Sequence, residues 1–252
     1  METRNNLLKM KDQLIFGIRP VIEAIKAGKE FEKVFVQVDL QGENSKELLA
    51  LLKSNGISFV RVPYQKLNKF TRKNHQGVVC LMALISYSSI EDILPFVYEQ
   101  GASPLLLLLD GITDVRNFGA IVRTAECAGV HAVVVPEKGG AQINSDAMKT
   151  SAGALNTVPI CKTTSMVSAI KYLQQSGLQV ISCTEKGASP IKSFDYKLPT
   201  AIVLGSEDVG VSRECMDASD GLGAIPMAGT IGSLNVSVAG GMVLYEAVCQ
   251  RR

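Results

Sequence analysis

AIVLGSEDVGVSRECMDASDGLGAIPMAGTIGSLNVSVAGGMVLYEA, residues 201–247, is the stretch on which the fold turns. It opens on a short all-apolar run (201–205) that ends in a glycine-bearing loop (206–212). A second run, GAIPM (223–227), ends in another such loop, and 234–249 then reads as a long helix. Apolar runs without alternation belong to strands covered on both faces, the signature of a parallel sheet. Working backwards, the same grammar repeats in QVISC (179–183), VPICK (158–162), AVVVPE (132–137) and LLLLLD (105–110). Helices are expected near 119–128, 145–151, 165–176 and 211–217 between them. Residues 104–252 therefore read as one α/β domain with helices on both faces of a mostly parallel sheet.

Upstream the elements are shorter. IRPVIEAIKAG predicts a helix over 19–27, with Pro20 in its first turn and Gly28 at its stop. KVFVQV (33–38), ISFVRV (57–62) and GVVCLMAL (77–84) read as strands; 45–56 and 64–70 read as helices. Residues 14–85 thus form a small α/β domain, 1–13 a frayed tail, and 86–103 a linker with one short helix. Charge separates the two domains. Residues 1–85 hold 14 Lys+Arg against 8 Asp+Glu, and the remainder holds 12 against 16. Between Glu47 and Glu91 no acidic residue occurs, while Lys53, Arg61, Lys66, Lys69, Arg72, Lys73 and His75 do. One-signed charge over that length suits a polyanion, although a solvated Lys/Arg face has the same composition.

Several classes of protein are excluded. The longest apolar runs are far shorter than the roughly 18 residues of a membrane span. The N-terminus lacks a signal-peptide core, so a cytoplasmic protein is expected. Six scattered cysteines without a CxxC pair, and only His75 and His131 beside them, leave no metal site in view; buried reduced thiols are expected. Gly205 and Gly210 have phosphate-loop spacing, but Val211 stands where a lysine must follow. No GxGxxG follows a strand, and no GxSxG elbow exists.

What remains is a dense polar set in loops at the carboxyl ends of apolar strands: Asn117, Arg123, Glu207, Ser233 and Asn235. Singly, each has a structural reading. Asn117 fits a helix cap, Arg123 a solvated helix face, Glu207 a backbone partner, Ser233 a cap of the last helix and Asn235 its first turn. Together they argue for a site, with Gly205 and Gly210 letting main-chain N–H groups approach a ligand.

The loops resemble, in order and spacing, the three signature motifs of the SpoU (TrmH-like) branch of the SPOUT methyltransferases. NFGAIVRTAECAG (117–129) is similar to motif 1, VLGSEDVGVS (203–212) to motif 2, and IPMAGTIGSLNVSVAGGMVLYEA (225–247) to motif 3. KTSAGALNTVPI (149–160) resembles another hallmark of the family. Residues 14–85 resemble its small RNA substrate-binding domain, similar in shape to ribosomal protein L30e. Motif 1 departs in one place: Val115-Arg116 replaces the usual Pro-x before Asn117, which alters loop stiffness.

The resemblance implies a C-terminal SPOUT domain folded as a trefoil knot. Its cleft would hold S-adenosylmethionine, with Leu204, Ile225, Met227 and Leu234 against the adenine and loop backbone around Gly205, Gly210 and Ser233 reading its edge. It implies methyl transfer to a ribose 2′-hydroxyl of RNA, most like a guanosine of 23S rRNA; tRNA, or RNA binding without catalysis, are the alternatives. Arg123 would act on the substrate, Asn117 would orient the nucleophile or the arginine, and Glu207 would position Arg123. Ser233 and Asn235 would organise the cleft and the acceptor ribose. A homodimer is implied, as is RNA contact through Arg72, Lys73, Asn74 and His75.

Overall fold

The computed structural model describes residues 14–187 and 189–252; the tail expected at 1–13 lies outside the described residues. The chain divides into two compact units after Ser86.

The first unit runs β1 (Leu14–Phe16), α1 (Ile18–Lys26), β2 (Phe31–Gln37), α2 (Glu43–Ser54), β3 (Phe59–Val62), α3 (Tyr64–Leu67) and β4 (Val78–Met82). Its four-stranded sheet has the order β1-β4-β2-β3. Strands β2 and β3 are parallel, joined by a crossover through α2, and β4 is antiparallel to its neighbours. Helix α1 buries Val21, Ile22 and Ile25, and α2 buries Leu48 and Leu52, the i, i+4 stripe expected of helices lying on a sheet. Strand β1 escaped the sequence reading because three residues carry no periodicity.

The second unit contains β5 (Tyr87–Ser88), α4 (Ile90–Glu99), β6 (Leu105–Asp110), α5 (Val115–Cys127), β7 (Ala132–Pro136), α6 (Ser145–Thr150), β8 (Ile160–Thr163), α7 (Met166–Gln175), β9 (Gln179–Cys183), β10 (Ser189–Pro190), β11 (Thr200–Gly205), α8 (Arg213–Ala218), β12 (Gly221–Ala224) and α9 (Val236–Arg251). The sheet order is β10-β12-β9-β11-β6-β7-β8-β5, with every pairing parallel. The run Leu105–Leu109 is wholly buried at the centre, as its composition demands. From β6 the chain proceeds outward to β7 and β8, then returns to build β9, β11 and β12 on the other flank. Strand order therefore reverses between β6 and β11, and open parallel sheets bind ligands at the carboxyl ends flanking such a reversal.

Of residues 86–103, expected as a linker, all but Ser86 belong to this unit. Strand β5 pairs with β8, and Ile90 and Leu94 of α4 join the core under the sheet. The strand expected at 223–227 lies at 221–224; Pro226 has no N–H to donate, so Ile225 onward leaves the ladder as loop. At its far end α9 is anchored by Arg251, whose guanidinium donates to the carbonyls of Tyr196, Ser103, Pro104 and Leu198 at 2.6–3.0 Å. Cys80, Cys161 and Cys215 are buried and reduced as expected, but Cys127 and Cys249 are exposed because they fall on the outer faces of α5 and α9.

Candidate active site

Beyond β11 the chain doubles back at once. Ser206 and Gly210 exchange two backbone hydrogen bonds, 3.1 and 3.0 Å, closing the loop 206–210 against the end of its own strand. Only glycine serves at 205: a Cβ there would lie 1.9 Å from the Gly210 carbonyl carbon and 2.0 Å from Val211 N. Beside this loop lies a cavity of about 300 Å³. Leu204, Gly205 and Gly210 form one wall, and Ile225, Met227, Ser233 and Leu234 another, so all seven residues expected to hold the cofactor line it. Cys183, Thr184 and Glu185, at the end of β9, complete it and were missed in the sequence. No local motif marks them; they reach the cavity because β9 neighbours β11 and runs parallel to it, so both carboxyl ends face the same way.

Three of the five polar residues meet at the mouth. Asp114 caps α5, its Oδ1 accepting from Arg116 N at 2.7 Å and Asn117 N at 2.9 Å. The Asn117 side chain is thereby left for other work: Nδ2 donates to Glu207 Oε1 at 2.6 Å, and Oδ1 accepts from Asn235 Nδ2 at 3.1 Å. Asn235 caps α9 through its Oδ1, which accepts from Ser237 N at 2.9 Å, so the cap is Asn235 rather than Ser233. A directed chain, Asn235 to Asn117 to Glu207, thus links the starts of α5 and α9 to the loop after β11, 118 and 90 residues apart in sequence. Ser233 lines the cavity. Arg123 does not. It lies exposed on the outer face of α5, with no hydrogen-bond or ion-pair partner among the described residues, and Glu207 does not position it within one subunit.

Cys183 is the thiol in the cavity. Burial, with Glu185 beside it, pushes its pKa up to about 11, so it is a protonated thiol and a poor nucleophile. A covalent route through cysteine therefore has no support here. No group of three or more His, Cys, Asp or Glu residues is placed to hold a metal ion among the described residues. S-adenosylmethionine suits the cavity chemically. An uncharged adenine needs apolar faces and main-chain partners, which Leu204, Ile225, Met227 and the glycine-bearing loops provide.

In the first unit Arg72, Lys73 and Asn74 are exposed. His75 is buried, which removes it from any RNA-facing surface. Its Nδ1 accepts from Gly77 N at 3.1 Å, so the ring proton sits on Nε2 and is donated to Asn68 Oδ1 at 3.0 Å. Burial lowers its pKa.

Comparison with known proteins follows this division. Residues 104–245 match the SpoU rRNA Methylase family, and 14–88 match the domain described as RNA 2′-O ribose methyltransferase substrate binding. A putative TrmH family tRNA/rRNA methyltransferase of Bacillus subtilis, YacO, is 29% identical over 97% of this chain and 98% of its own. An uncharacterized tRNA/rRNA methyltransferase of a Mycobacterium species is 35% identical over 95% of this chain and 77% of its own. Among solved structures, an AdoMet-bound rRNA methyltransferase from Sinorhizobium meliloti superposes with a TM-score of 0.60 at 25% identity, covering 93% of this chain and 85% of that one.

Proposed function

This chain belongs to the SpoU rRNA methylase family, an RNA methyltransferase dependent on S-adenosylmethionine, and on that premise we propose that it methylates the 2′-hydroxyl of a guanosine in 23S rRNA. The observation that carries this reading is the Asn235–Asn117–Glu207 chain at the mouth of a donor-sized cavity. When bound, the cofactor supplies an electrophilic methyl group on a sulfonium that leaves without protonation. The protein's task is then alignment of the acceptor oxygen and removal of its proton. Asn117 has both ends of its amide committed, which fixes its rotamer and with it the carboxylate of Glu207 at the cavity. Ser233 and Asn235 hold the opposite lip, Asn235 through the helix start it caps.

Arg123 needs a different geometry. Val238, Met242 and Tyr245 form an exposed apolar stripe on α9, spaced i, i+4, i+7, with Cys249 continuing it. Helix α5 packs beside α9, Gly241 approaching Thr124 next to Arg123. A homodimer formed on this face buries the stripe and offers Arg123 to the partner's cavity. A guanidinium holds its proton under all ordinary conditions, so Arg123 binds the substrate phosphate or steadies the developing alkoxide rather than acting as a base. Exposed Arg72, Lys73 and Asn74 supply phosphate contacts in the first unit. By analogy with the appended substrate-binding unit of this family, ribosomal RNA is taken over tRNA, which the relatives' names also carry. Asn117→Ala and Glu207→Ala test the reading: each should cut methyl transfer at least about 100-fold with cofactor affinity changed less than methyl transfer. Unimpaired transfer in both removes them from the site.

A further inference from the structure

The walls of the cavity carry an unbalanced charge. Glu207 and Asp208 enter from the loop after β11, and Glu185 from the loop after β9 on the other side. Within one subunit no Lys, Arg or His among the described residues lines it; Lys186, next to Glu185 in sequence, is exposed and outside the lining. Glu207 is engaged by Asn117. Glu185 is held differently: its Oε2 accepts from Thr184 Oγ1 at 3.4 Å and lies 3.8 Å from where a Gly210 side chain would begin. The glycine thus opens the space through which this carboxylate faces the loop across the cavity.

We propose that Glu185 is a specificity residue by which the cavity distinguishes the charged methyl donor from the spent cofactor. The proposal rests on S-adenosylmethionine being the donor. That molecule carries a sulfonium and an ammonium against one carboxylate, one net positive charge. S-adenosylhomocysteine has lost the sulfonium charge and is neutral overall. Shape barely separates the two, whereas an anionic wall does. Methyl transfer removes the charge that the wall attracts, so the same field that gathers donor loosens product and limits product inhibition. Screening at this exposed position places the effect of one carboxylate at about threefold to tenfold in affinity.

The test is calorimetric titration of the full chain and of Glu185→Gln with S-adenosylmethionine, S-adenosylhomocysteine and adenosine. The expected result is a threefold to tenfold loss of affinity for the donor in the variant, with the other two unchanged within about twofold. Raising the salt concentration should shrink the donor preference of the wild type more than that of the variant, in which Glu207 and Asp208 remain. Equal weakening of all three ligands, or an unchanged donor-to-product ratio, overturns the proposal while leaving the cofactor in place. Failure of the wild type to bind the donor overturns the cofactor assignment, and the proposal with it.

Discussion

Substituting Gly205 by Ala is the sharpest structural perturbation available, because the site's architecture depends on an atom that is not there. A Cβ at 205 falls 1.9 Å from the Gly210 carbonyl carbon, 2.0 Å from Val211 N and 2.2 Å from the Gly210 oxygen. All three are main chain, so no rotamer relieves the overlap, and the 206–210 loop must move by more than 1 Å, an order-of-magnitude shift from the contact distances. Overpacking of this kind costs about 3 kcal/mol. In a domain of this size that lowers the melting temperature by about 6–12 °C. The displaced loop carries Glu207 and the backbone that lines the cavity, and misplacement of about 1 Å is worth about 100-fold in a pre-organised site. Gly229→Ala is the control, since a Cβ there meets nothing within 4 Å. Melting curves and cofactor titration should show both losses in Gly205→Ala and neither in the control. An alanine variant at 205 that melts and binds like the wild type refutes the reasoning.

Arg123→Lys should reduce methyl transfer at least about tenfold, because a lysine keeps the charge but loses the planar fork; near-full turnover excludes any bidentate role. Tyr245→Glu places a charge in the apolar stripe of α9 and should convert a dimer to monomer in light scattering, whereas an unchanged mass removes that face from consideration. Burial holds the His75 imidazole below its ordinary value near 6.5, so the unfolded chain binds a proton that the folded chain refuses. Its contribution is therefore intact above about pH 6.5 and is lost as pH falls below it, so urea midpoints should drop between about pH 7.5 and 5.5, less steeply in His75→Gln; an equal slope in both contradicts this. His131, also lowered chiefly by burial, adds to the same fall in the second unit. Arg72→Ala with Lys73→Ala should flatten the dependence of RNA affinity on salt by about 1.4 to 1.8 in the log–log slope; an unaltered slope means neither touches phosphate.

Elements whose burial is uniform were legible from composition: β6, β9 and β11 lie where their apolar runs put them, and the glycine-bearing loops mark the cavity walls. Features that depend on contacts across the chain were not. The link between Asn117, Glu207 and Asn235 joins three separate elements, and no local pattern encodes it. His75 sits in a run of cations that reads as an RNA-facing surface, yet its ring is turned inward to satisfy Gly77 N and Asn68. The segment 86–103 looks like a connector because β5 is two residues long and Pro95, a residue that disfavours helix interiors, falls inside α4, although both elements belong to the second unit. Glu185 lies in TEKGAS, polar residues without a motif, and only the neighbouring position of β9 places it at the site.

The central claim is that the cavity between the 206–210 loop and residues 225–234 serves methyl transfer to a ribose oxygen. Its most direct test is incubation with tritiated S-adenosylmethionine and unmodified RNA, followed by complete alkaline hydrolysis. A methylated 2′-oxygen cannot attack the adjoining phosphate, so the account predicts label in alkali-resistant dinucleotides beginning with guanosine, and much less of it with Asn117→Ala. Label released only as mononucleotides, the mark of base methylation, contradicts it.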